Sequence, residues 1–168
     1  MNIEKFNNFI DYLNESFDNP VEINWIVNNN SDLDGEFYID DIKYVIECYN
    51  WGDNIWTYKF FRIEGDEKTM DLVKDSGRKM RVLSTIRVGM RYLIENKNPN
   101  GLIINVTDGS RGRDYLWSRF SKEISIDYNY ELLNKYVMGY STYFLWKDIS
   151  FEEVNKAFNK MLHAFQNQ

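Results

Sequence analysis

The chain has 168 residues, enough for one domain with its own core, and its formal net charge of -6 at pH 7 argues against broad binding to nucleic-acid phosphates. The single cysteine, Cys48, excludes an internal disulfide, and the single histidine, His163, excludes most zinc sites, so we expect no metal centre. No apolar run reaches the ~20 residues of a membrane span, and the N-terminus shows no signal-peptide pattern, so we expect no membrane contact and a cytoplasmic location.

The first part of the sequence predicts a helix followed by strands. Apolar residues recur at helical spacing up to the stop signal Asn19-Pro20. The β-rich stretch 21–27 predicts a strand, and the polar cluster after it, with Asp34-Gly35, predicts a turn. Two alternating stretches, 41–49 and 55–63, predict antiparallel neighbours with one face covered by helix.

The middle of the sequence predicts a helix, a strand and a second helix. Apolar positions from Met80 to Ile94 predict an amphipathic helix of about five turns, and Gly89 within it indicates close packing. The apolar run Leu102–Val106 is typical of a strand buried on both faces. We expect Asp108 or Ser110 to cap the next helix, which extends to about residue 123.

The last part predicts a strand pair and a closing helix. The strands cover 128–137 and 142–146, and Ser150 with Glu153 forms a capping box that opens the helix. We expect Cys48 in the core and His163 on the surface of this last helix. The whole sequence, 1–168, therefore predicts a single α+β domain with a mixed, mainly antiparallel central sheet flanked by helices.

This succession of antiparallel strands, helix, buried strand, helix and strand pair resembles the GNAT acetyltransferase fold. The resemblance implies a core over about 21–147, with the N-terminal and C-terminal helices packed on it. In that superfamily the strand-to-helix turn after the antiparallel strands holds the pyrophosphate of coenzyme A, and backbone N–H groups at a helix N-terminus suit that anion. A tyrosine from the following strand–helix unit protonates the leaving thiolate.

Three motifs within about 60–125 resemble a family of uncharacterised tailed-phage proteins. That family combines a "V-(F/L)-S-T-(V/I)" helix, an "i-i-f" strand and an "R-x-x-L-Y-x-R" helix. The counterparts are Val82–Ile86, Leu102–Val106 and Arg113–Arg119, in the same order and spacing. The resemblance indicates a phage lineage and assigns no activity.

Two positions depart from the acetyltransferase pattern. The expected pyrophosphate signature is Arg/Gln-x-x-Gly-x-Gly/Ala, whereas Lys74–Lys79 keeps Gly77 and places Lys79 in the last slot, where a side chain crowds a close backbone approach. The slot of the usual tyrosine holds Trp117, whose indole N–H is no practical acid near pH 7. Tyr115 is the weak candidate for a catalytic acid, and on a helix it faces away from the Trp117 slot.

The candidate ligand-binding residues are basic and have structural interpretations beside the functional ones. Gly77, Arg78 and Lys79 at a helix N-terminus suit a phosphate, or Arg78 and Lys79 pair with acidic neighbours at positions 64, 71 or 75. Arg113 suits carboxylate or phosphate recognition, or it pairs with Asp108 and fixes the turn.

A second pair of arginines lies further along the first long helix. Arg87 and Arg91 are one turn apart on it, with Ser84 and Thr85 before them. They form a binding face or, as is more common for such a stripe, a solvated one.

The leading hypothesis is a phage-encoded, non-catalytic binding or assembly protein, present in the host cytoplasm or in the virion. It has no cofactor, and an aromatic content of 17% favours a protein partner or self-association. The first alternative is an N-acetyltransferase that uses acetyl-CoA with a degenerate pyrophosphate loop. The second is a protein that binds a nucleotide or a small phosphate ligand through Arg78 and Arg113.

Overall fold

The computed structural model describes residues 19–69, 76–106, 111–137 and 140–166, which form eight strands and three helices. The strands are β1 (Asn24–Asn28), β2 (Asp32–Ile39), β3 (Ile42–Asn50), β4 (Ile55–Glu64), β5 (Glu67–Thr69), β6 (Gly101–Val106), β7 (Glu131–Val137) and β8 (Tyr140–Trp146). The helices are α1 (Ser76–Lys97), α2 (Arg111–Asp127) and α3 (Phe151–Gln166). The helix predicted before Asn19 lies outside the described residues.

The strands form one open sheet in the order β1-β2-β3-β4-β6-β8-β7, and the short β5 pairs with β4. The β4–β6 contact is parallel, and the other pairings are antiparallel. A parallel neighbour needs a crossover connection, and α1 lies in the segment that joins β4 and β6. The predicted α+β class with a mixed, mainly antiparallel sheet is confirmed.

Alternate residues of the strands face two separate apolar cores. On one face, which we call the α1/α2 face, α1 and α2 pack against residues such as Tyr58 and Leu102. On the other, the α3 face, α3 packs against Ile55, Ile103 and Phe144. Because β6 is buried on both faces, its continuous apolar run follows directly from its central position.

The predicted turn at Asp34-Gly35 is wrong, because both residues lie inside β2. Gly35 pairs with Trp25 of β1 on one side and with Ile46 of β3 on the other. A Cβ atom there would lie 2.7 Å from Cγ2 of Ile23, so the glycine allows a side chain to cross over the strand. Glycine is common in turns, but Gly35 lies within a strand and allows a neighbouring side chain to pack closely against its backbone.

Most of the remaining differences concern the ends of elements. β1 starts later than the predicted strand, α1 and α2 are longer than predicted, and β7 begins at Glu131 after a turn in which Asn129 has a positive φ of 57°. The strand β5 was not predicted. The capping box is confirmed: the backbone N–H of Ser150 donates to Oε2 of Glu153 at 2.8 Å, and the Glu153 N–H donates back to the Ser150 hydroxyl at 3.3 Å.

Candidate functional site

The two halves of the sheet meet where β4 and β6 run parallel. Their pairing covers only Ile55–Tyr58 with Gly101–Ile104. Both strands continue beyond it, β4 to Glu64 and β6 to Val106. The strands therefore separate toward their carboxyl ends, which is where open α/β sheets commonly bind ligands.

The short strand β5 occupies part of this separation. It pairs with Arg62–Glu64 of β4, and Arg62 also pairs with Tyr44 of β3. Since β3 covers one edge of β4, β5 covers the other edge, the one that faces β6. The end of β4 is thus closed to a ligand that would use its backbone groups there.

An aromatic cluster fills the α1/α2 face beside the separating strands. Trp117 of α2 is only 3% exposed, and its ring centroid lies 5.9 Å from that of Phe60 in β4. Phe120, one turn further along α2, meets the indole edge-on at 6.0 Å. Trp117 is therefore a core residue that joins α2 to β4.

The start of α1 brings the predicted residues Gly77, Arg78 and Lys79 together. Gly77 and Arg78 are exposed and Lys79 is half-buried. Nε of Arg78 donates to Oδ2 of Asp40 at 2.7 Å. Of the expected acidic partners, Glu64 binds Arg62 at 2.5 Å, and positions 71 and 75 lie outside the described residues.

Asp40 belongs to the tight connection between β2 and β3. It is distant from Arg78 in the sequence, so the residues near Arg78 in the sequence do not reveal it as a partner. Nη1 of Arg81 also lies 4.0 Å from Oδ1 of this carboxylate. Basic residues in a first helical turn oppose the helix dipole, so a carboxylate from another element offsets that cost. Arg78 is thus held by the fold, at a position where its guanidinium remains half exposed.

Tyr44 of β3 lies behind this basic group. Its side chain is fully buried, and its hydroxyl has no hydrogen-bond partner among the described residues. Burial raises the pKa of Tyr44, and the positive charges of Arg62 and Arg78 counteract part of that rise. The hydroxyl of Tyr44 is therefore an unsatisfied buried polar group beside two guanidinium groups.

The other predicted site residues are only partly described. Arg113 and Tyr115 lie in the first turns of α2, and their side chains are outside the described part of the structure. The proposed pairing of Arg113 with Asp108 stays a prediction for the same reason. Cys48 is buried and His163 is exposed, as expected.

The side chains of Arg87 and Arg91 are 31% and 29% exposed, and both pair with α2 instead of forming a wholly solvated stripe. Both guanidinium groups donate to Oε1 of Glu123 in α2, and Arg91 also binds Asp127. Burial alone would raise the pKa of Glu123, but the hydrogen bonds and charges of the two arginines lower it overall. These arginines therefore link α1 to α2.

A second concave site, which the sequence did not indicate, lies on the α3 face of β2, β3 and β4. We call it the acidic cleft; its volume is about 300 Å³. Its described lining consists of Asp32, Asp34, Glu47, Cys48, Tyr49, Trp51, Thr57, Lys59 and Ala164. The alternation of β2 places Asp32 and Asp34 on the same face, but sequence alone does not show that Glu47 pairs with Asp34.

Neither a metal centre nor a membrane span is found within the described ranges. No group of three or more His, Cys, Asp or Glu side chains there is arranged to hold a metal ion. None of the described helices is both long enough and apolar enough to cross a membrane. Comparisons with known proteins add no assignment: no family model, curated protein or solved structure matches the chain.

Proposed function

We propose that this protein is a phage-encoded, non-catalytic binding or assembly protein built on an acetyltransferase-like fold. The observation that carries the proposal is the position of Trp117, which is buried against Phe60 and Phe120 where the acetyltransferase pattern has its acid. An indole N–H does not protonate a thiolate near pH 7. A side chain packed in this way contributes to the core and leaves the acid role unfilled.

The topology supports the acetyltransferase-like part of the proposal. Three long antiparallel strands, β2 to β4, are followed by α1, the central strand β6, α2 and the strand pair β7–β8, which is the succession that the resemblance implies. The single parallel contact joins the two halves at the point where the strands separate.

The start of α1 supports the non-catalytic part. Lys79 stands where the pyrophosphate signature has a small residue, and Asp40 already engages Arg78. The backbone edge of β4 near its end is occupied by β5. These three features reduce the space and the hydrogen-bond donors available to a coenzyme.

Isothermal titration calorimetry with acetyl-CoA tests the proposal. We expect no measurable heat of binding with up to millimolar coenzyme, whereas an active acetyltransferase measured in the same buffer gives a complete isotherm. Micromolar affinity for acetyl-CoA would overturn the proposal in favour of an N-acetyltransferase with an atypical phosphate site. In that case Arg78→Ala should abolish coenzyme binding while the protein remains folded.

A second candidate function, binding of a nucleotide or small phosphate ligand, is favoured by the basic start of α1, where the Arg78 guanidinium is half exposed. Arg62 and Arg78 both counteract the raised pKa of Tyr44, which indicates that their positive charges lie near one another. Bound ligand stabilises the folded state by mass action, so inorganic phosphate or ATP should raise the melting temperature. Arg78→Gln should reduce that rise, and Lys160→Gln, on the exposed side of α3, should not.

A further inference from the structure

The acidic cleft is built by residues from three adjacent strands. Asp34 of β2 pairs across the sheet with Glu47 of β3, which pairs in turn with Lys59 of β4. Asp32 lies two residues before Asp34 and therefore on the same face. The side chains of these rows point to the α3 face, and Ala164 near the end of α3 adds to the lining.

The charges in the cleft do not cancel. The described lining carries the carboxylates of Asp32, Asp34 and Glu47 and the ammonium of Lys59. Lys68 of β5 binds Oε1 of Glu47 from outside the lining. Among the described residues the three carboxylates therefore outnumber the two ammonium groups by one, so a monovalent cation would balance the cleft.

The pKa of the Asp34 carboxyl reflects both its burial and this excess of negative charge. Burial and then the charges of Glu47 and Asp32 raise the pKa of the Asp34 carboxyl, while a hydrogen bond from the backbone of Cys48 counteracts part of the rise. Burial lowers the pKa of the Lys59 ammonium, and Glu47 counteracts part of that change. Both shifts indicate that the groups are partly removed from water, where charge complementarity has more effect.

Aromatic side chains form one wall of the cleft. The rings of Tyr49 and Trp51 meet edge-on with centroids 5.0 Å apart, and Tyr49 is 45% exposed. The indole N–H of Trp51 donates to the hydroxyl of Thr57 at 3.3 Å, which fixes the orientation of the ring. Aromatic faces beside carboxylates suit a flat, weakly hydrated cation, which is the character of a guanidinium more than of a metal ion or an ammonium.

We propose that the acidic cleft receives an arginine side chain of a partner protein. This inference rests on the proposed binding function and names the chemistry of the partner. The cleft is large enough for a guanidinium group with part of its stem, and its carboxylates can accept the paired N–H donors of that group. The cleft opens on a sheet face that also presents the exposed ring of Tyr38, so a protein surface can extend beyond the inserted side chain.

The experiment is an NMR titration of the full chain, labelled with ¹⁵N, in which the Trp51 indole N–H signal is followed. The probe is Nα-acetyl-arginine amide, and its matched control is the citrulline analogue, which has nearly the same shape without the charge. We expect a saturable shift with the arginine compound and none with the citrulline compound. Equal responses, or no response to arginine, would overturn the inference.

Variants assign the binding to the cleft. Asp34→Asn and Asp32→Asn should each weaken binding roughly tenfold, as expected when one charge-assisted hydrogen bond is lost. Glu152→Gln, an exposed position in the first turn of α3, should leave the affinity unchanged. Lys59→Met removes a competing cation and should strengthen binding; unchanged affinity in Asp34→Asn or weaker binding in Lys59→Met would contradict the inference.

A further titration distinguishes binding of a partner's side chain from binding of a free metabolite. Free L-arginine carries a strongly hydrated α-ammonium and α-carboxylate in place of the neutral amides of a peptide, so a cleft that receives an arginine of a protein chain should bind it more weakly than the acetylated amide. Tighter binding of the free amino acid would overturn the assignment to a protein partner. Acetyl-CoA binding would overturn the proposed function and leave this titration unaffected, so the two failures are distinguishable.

Discussion

The presence of a glycine at position 89 is explained by the side chains of the sheet that pack against it. Gly89 lies inside α1, where glycine costs up to about 1 kcal/mol relative to alanine. A Cβ atom at this position would lie 2.6 Å from Cδ1 of Ile46 and 2.8 Å from the hydroxyl oxygen of Tyr58. That hydroxyl donates to the carbonyl of Ile86 at 2.7 Å, so it cannot easily move away.

We expect Gly89→Ala to destabilise the protein although it improves helix propensity. Overpacking a core costs about 1–3 kcal/mol, which equals or exceeds the helix gain of about 1 kcal/mol. The free energy of unfolding from urea denaturation should therefore fall. Val88→Ala, at the adjacent and 43% exposed position, serves as control and should change that free energy by about 0.5 kcal/mol or less. A more stable Gly89→Ala protein would contradict the packing argument.

Residue roles were predictable where local pattern determines them. Gly89 and Cys48 stood out because a glycine inside a helix and a cysteine on an apolar strand face have few explanations. The partner of Arg78 was not predictable, because Asp40 is distant in sequence and reaches the start of α1 only through the β2–β3 connection. The acidic cleft was missed for the same reason, since its residues converge through strand register.

Between elements, the junction of α1 and α2 depends on Glu123. Its carboxylate accepts hydrogen bonds from Arg87 and Arg91 one helical turn apart. Arg91 also lies over the ring of Tyr128, 5.6 Å from its centroid. The two helices are thus connected by charged groups above an apolar core.

The free energy of unfolding should fall at acidic pH, and protonation of Glu123 should account for part of that fall. Burial raises the pKa of Glu123, but the hydrogen bonds and charges of Arg87 and Arg91 outweigh it and leave the pKa below the ordinary value of 4.5. A carboxyl with a lowered pKa in the folded state stabilises the fold above its unfolded pKa. That contribution is lost as the pH falls through the folded pKa.

The measurement is the free energy of unfolding at pH 7 and at pH 3 for wild type and Glu123→Gln. The variant should lose less stability between the two pH values than wild type does. Glu131→Gln, an exposed position in β7, should retain the wild-type loss. Equal losses in wild type and Glu123→Gln would show that the helix junction does not depend on this carboxylate.

The elements themselves were largely predictable, and their pairing was not. Helical spacing and alternation indicate α1, β3, β4, β6 and α3 directly. β2 was interpreted as a turn because Asp34 and Gly35 have turn preferences, and its strand character comes from pairing on both sides. Whether Arg87 and Arg91 form ion pairs likewise depends on which helix lies beside α1. The periodicity of the sequence does not show which helix that is.

At the scale of the whole molecule, the two halves of the sheet share one core. The core of the α1/α2 face extends from Leu33 of β2 to Leu145 of β8 without interruption. Although the parallel contact between β4 and β6 spans only a few residues, α1 and α2 bridge the halves. The halves should therefore unfold together.

Urea denaturation followed by tryptophan fluorescence and by far-ultraviolet circular dichroism should give one coincident transition. Leu33→Ala and Leu145→Ala lie in opposite halves, and each should lower the midpoint for both probes equally. The cost of such large-to-small core changes is about 2–5 kcal/mol. Separate transitions, or a variant that shifts one probe alone, would show that the halves are independent units.

The irregularity in β1 has a consequence for behaviour at high concentration. β1 is an end strand of an open sheet, and such strands can template the addition of further chains, as in aggregation. Its pairing with β2 shifts register between Trp25 and Val27, and Ile26 at the shift is 57% exposed. An incoming chain in regular extended conformation would lose its hydrogen-bond register at this bulge after two or three residues. The sheet edge therefore exposes an isoleucine, but the irregular backbone of β1 disfavours the addition of further strands and hence fibre growth.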